Sequence, residues 1–228
     1  MIFYDKDQSV RPSDIKQEEF EKKISGHLKA KIELVSQLRC KGGNDYIEYV
    51  KDVLTRKEQE KHKKFENYEL RFFENPNDMI KEIKMKNEKL GLCRVLAGYG
   101  WKWNSKNDDN AYDIILDGIG YKWNSTATDW INSQNSINEI GCIHTAQGYD
   151  LNIAGVIFGP EIQYDTESNS ICIKKNSYYD NLGKTKDDAA QKEYILNIYS
   201  TLMTRGIKGT YVYVCDQNLR AYLREYFG

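Results

Sequence analysis

The stretch "EIGCIHTAQGYDLNIAGVIFGPE", Glu139 to Glu161, decides how this chain is read. Two apolar runs, "IGCIH" and "IAGVIFG", have the composition of buried strands, and the polar insert "TAQGYD" separates them. An ordinary connection accepts almost any turn residues. A glutamine, a glycine and a carboxylate between two core strands therefore ask for a reason.

Working outward, strands and helices alternate. Strands are expected at "IFYD", "KAKIELVSQLRC", "YELRFFEN", "LCRVLAGYG", "YDIILDG" and "GTYVYVCD", with a hairpin in "FGPEIQYDTESNSICIKK" turning at "DTESNS". Helices are expected after "QSVRPSDI", capped by Ser13 or Asp14, and in "GGNDYIEYVKDVLTRKEQEKHKKF", capped by Asn44 or Asp45. "DMIKEIKMKNEKLG" offers Met79, Ile80, Ile83 and Leu90 for burial. "DAAQKEYILNIYSTLMTRG" is expected to close at Gly206, and "NLRAYLREYF" to end the chain as a helix. This alternation predicts an α/β fold with a mainly parallel sheet and flanking helices.

Composition narrows the function classes. The chain has 228 residues, 40% hydrophobic and 29% charged, which is enough to bury a core. Its net charge of −1 excludes a global field for nucleic acid, so any such surface is a local patch. The five cysteines are odd in number, lack Cys-x-x-Cys spacing and sit mostly in apolar contexts. They read as reduced thiols of a cytoplasmic protein. His27, His62 and His144 have no zinc-ligand spacing, and neither a membrane span nor a signal peptide is evident.

One internal echo stands out: "GYGWKWNS" (Gly98 to Ser105) and "GIGYKWNS" (Gly118 to Ser125) agree at six of eight positions. Two copies do not make a repeat architecture. They read either as two strand ends with similar turns or as aromatic platforms, Trp101, Trp103, Tyr121 and Trp123, on which bases stack. The charge run from Arg56 to Lys64 reads as a solvated face.

Late in the chain, "IYSTLMTRGIKGTYVYV" sets Thr204 and Arg205 at a helix end just before a strand, expected to be the sheet edge where ligands gather. Together with "QGYD" followed by "VIFG", it resembles the ordered late motifs of superfamily I helicases. "YDKDQ" resembles their strand-end Gly-Asp-x-x-Gln motif, and "ELVSQLRC" their strand ending in arginine. The details "RVLAGYGWKW", "IGCIHTAQGYDL" and "LMTRGIKGTYVY" resemble a bacterial family of ATPases related to the helicase portion of the Schlafen proteins, in its C-terminal half.

The resemblance implies a RecA-like second lobe, with residues 1–20 as the end of a first lobe and residues 21–228 as the second. Arg205 would reach the ATP γ-phosphate, for which a planar, always-charged guanidinium is suited. Arg39 would be a second γ-phosphate contact, and Gln8 a sensor of it. Asp150 stands where the family has a ribose-contacting glutamate, one methylene longer. Gln147 and Gly148 would shape the turn, and His144 and Thr145 would meet the nucleic-acid backbone. Arg205, Gln147 and Arg39 are expected to face outward on one rim of the sheet. The insert would then be a strand-to-helix connector facing nucleotide on one side and nucleic acid on the other; the alternative for the segment taken alone is a turn with a helix cap.

The sequence lacks the loop Gly-x-x-x-x-Gly-Lys-Ser/Thr that cradles phosphates, and "NLGKTKDD" has no glycine at the required upstream spacing. The acidic pair that holds metal is expected before "YDKDQ". ATP and Mg²⁺ are thus expected cofactors of a complete protein and not of this chain, whose partners would be an N-terminal RecA-like lobe and DNA or RNA, with no membrane. The competing reading is a non-catalytic nucleic-acid-binding module using the tryptophans and the lysines from Lys81 to Lys89. A third, an unrelated nucleic-acid hydrolase, has no paired carboxylates, Ser/His/Asp set or metal cluster behind it.

Overall fold

The computed structural model describes residues 2, 4–5, 9–27, 30, 40–58 and 60–228. Most of the expected strand 29–40, with Arg39, and Gln8 of "YDKDQ" lie outside the described residues. In chain order the elements are α1 (Gln17–Ile24), α2 (Gly43–Thr55), β1 (Glu69–Phe72), α3 (Pro76–Leu90), β2 (Cys93–Ala97), β3 (Ile114–Leu116), β4 (Ile119–Tyr121) and β5 (Ile140–Gly141). There follow α4 (Ile143–Ala146), β6 (Leu151–Phe158), β7 (Ile162–Asp165), β8 (Ser170–Ile173), α5 (Asp188–Met203), β9 (Gly206–Val214) and α6 (Gln217–Phe227).

The centre is a five-stranded sheet, ordered β1-β9-β6-β2-β5, in which every pairing is parallel. Both its faces are apolar. Along β6, Ala154, Val156 and Phe158 enter one core, with Leu96, Val212 and Val214, under α2, α5 and α6. Ile153 and Ile157 enter the other, with Val95, Tyr211, Tyr213 and the α3 residues Met79, Ile80 and Ile83. Burial on both faces is why β2, β6 and β9 read as mostly apolar runs. The helix-flanked parallel sheet is consistent with a RecA-like fold. β3 and β4 form one hairpin and β7 and β8 another, the latter turning at the expected place.

Several element ends differ from expectation. "IGCIH" pairs only through Ile140 and Gly141, because Cys142 begins α4 as its N-cap. α2 starts from Gly42 without a side-chain cap, so neither Asn44 nor Asp45 serves. α1 follows Lys16, while Asp14 accepts from the amides of Val10 (2.8 Å) and Arg11 (2.9 Å) instead. Pro76 opens α3 at its first turn, with Asn75 as cap, where a missing N–H costs nothing. Leu90 stays 37% exposed rather than buried. Ile2, Tyr4 and Asp5 belong to no strand. Gly206 does not close α5; it is the first residue of β9, and a Cβ there would lie 2.0 Å from the Gly209 carbonyl oxygen. Cys40, Cys93 and Cys142 are buried, Cys172 and Cys215 half-buried, and all five are free thiols.

Past the carboxyl ends of β2 and β6, Gly98, Gly100 and Gly159 pack around the fully buried Glu161; a Cβ on any of them would fall within 2.3 Å of its carboxylate oxygens. Oε1 accepts the Tyr199 hydroxyl, while buried Oε2 has no hydrogen-bond partner. Burial drives this carboxyl up to about 7, against the opposing Tyr199 hydrogen bond and its own amide. Since the unfolded group titrates near 4.5, the folded protein keeps a proton that the unfolded chain has lost between those values. Stability contributed by Glu161 is therefore full below pH ~4.5, falls up to about pH 7 and then stays level, a swing of about 3 kcal/mol. In urea titrations at pH 5 and pH 8, Glu161→Gln should gain on the wild type as pH rises; a gap independent of pH would contradict the buried, neutral carboxyl.

Candidate functional site

Parallel strands force each connection back across the sheet, and the segment 142–150 makes that crossing between β5 and β6. It begins at the carboxyl edge with the single turn α4. The Cys142 amide donates to Thr145 Oγ1 (3.1 Å), and that hydroxyl donates to the Cys142 carbonyl (3.0 Å). Thr145 is therefore a buried helix-start residue, 4% exposed, and does not face outward as expected of a nucleic-acid contact. The chain then leaves the helix at half-buried Gln147 and turns at Gly148, whose φ of +91° favours glycine. It reaches the amino edge at exposed Asp150.

There Asp150 and Arg205 stand side by side. Leu151 pairs with Gly206, and the Leu151 amide donates to the Arg205 carbonyl (3.0 Å). This is the amino edge of the strands, since a helix end leading into a strand meets that strand's start. The expectation that Arg205 marks the edge where α/β ligands gather is thus corrected: that edge is the carboxyl one. Nor does Arg205 face outward. It is 4% exposed, and its Nε donates to the Thr201 carbonyl (3.2 Å) in the preceding turn. Gln147 is half-buried on the same connector, and Arg39, like Gln8, lies outside the described residues.

The carboxyl edge gathers the other set. Tyr99, just beyond β2, lies 5.5 Å from the Trp123 ring and 5.5 Å from His144. Trp101 and Trp103 meet Trp123 at 6.3 and 6.4 Å. The two echo segments and the connector histidine, far apart in sequence, form one aromatic neighbourhood. Asp113, buried, holds the two segments together: it accepts from the Ser105 amide (2.8 Å) and hydroxyl (2.6 Å) and from the Trp123 amide (2.8 Å). Trp123 itself is 1% exposed and a core residue, so it offers no face to a base. Trp101 and Trp103 are half-buried, with exposed Lys102 between them, its ammonium 5.9 Å from the Tyr179 ring.

His144 also meets two charged groups that sequence reasoning missed. Its Nε2 is 3.0 Å from Asp180 Oδ2 and 2.5 Å from Arg11 Nη2. One nitrogen cannot donate to the carboxylate and accept from the guanidinium at once, so the tautomer selects the partner. Arg11 Nε lies 3.8 Å from the same carboxylate oxygen. Burial alone would raise the Asp180 carboxyl, but the His144 hydrogen bond and charge, the Leu182 amide and the Arg11 charge outweigh it and hold the group below the usual carboxylate range. Nothing in local spacing signals Arg11 with Asp180, separated as they are by most of the chain.

As for nucleotide and metal, the sequence has no phosphate loop, and among the described residues no three His, Cys, Asp or Glu are grouped to hold a metal ion. Among the described residues, too, no helix is long and apolar enough to cross a membrane.

Fold and site together describe a helicase-like α/β domain. The chain belongs to the Schlafen group 3, DNA/RNA helicase domain family, whose model matches residues 1–216. It is also similar to the uncharacterized protein YPL245W of Saccharomyces cerevisiae, 33% identical over 167 residues, which are 69% of this chain. The match covers 37% of that relative's length. No solved structure matches the chain.

The placement of the tryptophans gives a direct check. Trp123→Ala should cost about 3–5 kcal/mol in urea unfolding followed by circular dichroism, as expected for a large core side chain. Trp101→Ala and Trp103→Ala should each cost about 1 kcal/mol. Equal losses at all three positions would overturn the division into core and surface.

Proposed function

We propose that this chain is the second lobe of a two-lobed, helicase-like ATPase and holds single-stranded nucleic acid along its carboxyl-edge aromatic surface. The carrying observation is the connector 142–150: it sets His144 against Tyr99, whose ring also meets Trp123 in the aromatic cluster with Trp101 and Trp103, at one edge, and Asp150 beside Arg205 at the other. Bases stack on the half-exposed Trp101 and Trp103, and Lys102 and His144 face the backbone. Family membership supports a role connected with nucleic acid.

In this reading ATP and Mg²⁺ are held mainly by an N-terminal RecA-like lobe. Arg205, Arg39, Gln8, Gln147, Gly148 and Asp150 complete the site from this side. Arg205 acts as an arginine finger only once docking of the first lobe draws its guanidinium out from the helix turn that covers it. The chain alone would then hydrolyse no ATP. The bacterial family and the cytoplasm remain the proposed setting.

The burial of Arg205 favours a second reading, a non-catalytic nucleic-acid-binding module that relies on the aromatics and never exposes the arginine. One pair of measurements separates the two. Filter binding to a single-stranded oligonucleotide should weaken about tenfold or more in a Trp101→Ala/Trp103→Ala double variant, and Arg205→Ala should leave it unchanged. In the protein joined to its first lobe, Arg205→Ala should lower ATP turnover by roughly 10³-fold or more if the arginine is a finger. Undiminished turnover would leave only the module.

A further inference from the structure

The cluster of Arg11, His144 and Asp180 is not explained by the fold. The core does not need it: Val10 already anchors its segment in the main cluster, and Asn197 holds the Ser9 carbonyl (3.0 Å). Arg11 is thereby pinned at the mouth of the aromatic surface, with 29% of its side chain exposed. Yet the cluster is incompletely satisfied. Arg11 Nε is buried and makes no hydrogen bond, and the buried Tyr178 hydroxyl nearby has none either. Two donors and a histidine thus face a single carboxylate that cannot serve them all. A phosphodiester, with two charged oxygens in a tetrahedral arrangement, offers acceptors in more directions than a planar carboxylate.

Asp180, itself 7% exposed, lies beside an exposed loop tip. It sits on the loop between β8 and α5, whose tip residues Asn181 and Leu182 are exposed, Leu182 to 70%. Oδ1 accepts from the Leu182 amide (3.0 Å) and Oδ2 turns toward His144 and Arg11. Around it the loop carries the exposed lysines Lys174, Lys184 and Lys186, so one acidic side chain points inward from a basic segment. The Tyr179 amide, bonded to the Tyr99 carbonyl (2.8 Å), ties that loop to the aromatic surface.

We propose that Arg11, His144 and the Tyr178 hydroxyl form a phosphodiester-binding slot of the nucleic-acid surface, which the Asp180 carboxylate occupies as an internal stand-in until a backbone phosphate displaces it. The slot rests on the nucleic-acid reading above and adds to it a cation, Arg11, and a competitor, Asp180. It holds one phosphate at the entrance to the tryptophan platform, so a strand enters only by exchanging one anion for another.

The test is affinity for labelled single-stranded oligo-dT and oligo-rU, with inorganic phosphate and ATP as separate competitors. Asp180→Asn keeps the shape and removes the charge, and should tighten oligonucleotide binding roughly tenfold. Asp180→Glu keeps the charge and should bind like the wild type. Arg11→Gln should weaken binding and erase the gain of Asp180→Asn when the two are combined. Millimolar inorganic phosphate should compete at this slot, and ATP no better than phosphate. If the wild type binds while Asp180→Asn binds no better, or the gain survives Arg11→Gln, the slot is wrong and the nucleic-acid reading stands. If neither wild type nor Asp180→Asn binds either oligonucleotide at low salt, both fall. Should Asp180→Asn unfold, the His144 ring nitrogen signals of the wild type decide by NMR: oligonucleotide should shift them as the carboxylate leaves, and unmoved signals with bound oligonucleotide overturn the slot.

Discussion

Every pairing in the central sheet is parallel, and from that constraint most of the molecule follows. Neighbouring strands β2, β5, β6 and β9 cannot be joined by tight turns, so the chain must travel back from carboxyl edge to amino edge before each new strand. Between β5 and β6 it does so within residues 142–150, one turn of helix and a glycine turn. A connection this short leaves residues such as His144 and Asp150 at opposite edges of one sheet. It runs on into Leu151, whose amide bonds the Arg205 carbonyl.

The aromatic edge is supported from beneath by buried polar side chains with well-chosen partners. Asp113 joins the two echo segments, and Glu139 accepts the Trp130 indole (2.7 Å) and the Ser125 amide (2.9 Å). Arg94, 7% exposed, donates to Ser136 Oγ, Asn87 Oδ1 and the carbonyls of Ile131 and Cys93. Burial pushes its guanidinium below the usual range. With four neutral oxygens and no carboxylate, it clasps a long irregular segment onto β2. Such groups are costly to bury unpaired and restrictive once paired, which is how residues 98–139 hold a defined shape with little regular structure.

The two edges differ in readiness. At the amino edge Arg205 is drawn in against its own helix, its Nε donating to the Thr201 carbonyl. At the carboxyl edge Trp101 and Trp103 are half-exposed and Lys102 is exposed, and in the proposed slot Asp180 holds the place of a phosphate.

By itself the sequence determined which runs become core and in what order. β2, β6 and β9 are mostly apolar because both their faces are covered, and α3 and α6 carry their helical spacing plainly. The motif order that identifies the family was readable too, since it depends on short segments taken one at a time. Tertiary structure alone decided where the elements stop and what meets across distance. Gly206 could have ended a helix, but pairing with Leu151 and the close approach of the Gly209 carbonyl made it a strand residue. Trp103 and Trp123 stand at matching positions of the echo, yet one is half-exposed and the other sealed, with the buried Asp113 joining their two segments. The meeting of Arg11 with Asp180 leaves no local trace at all: their approach is a property of the packed fold, and no window of neighbouring residues contains both.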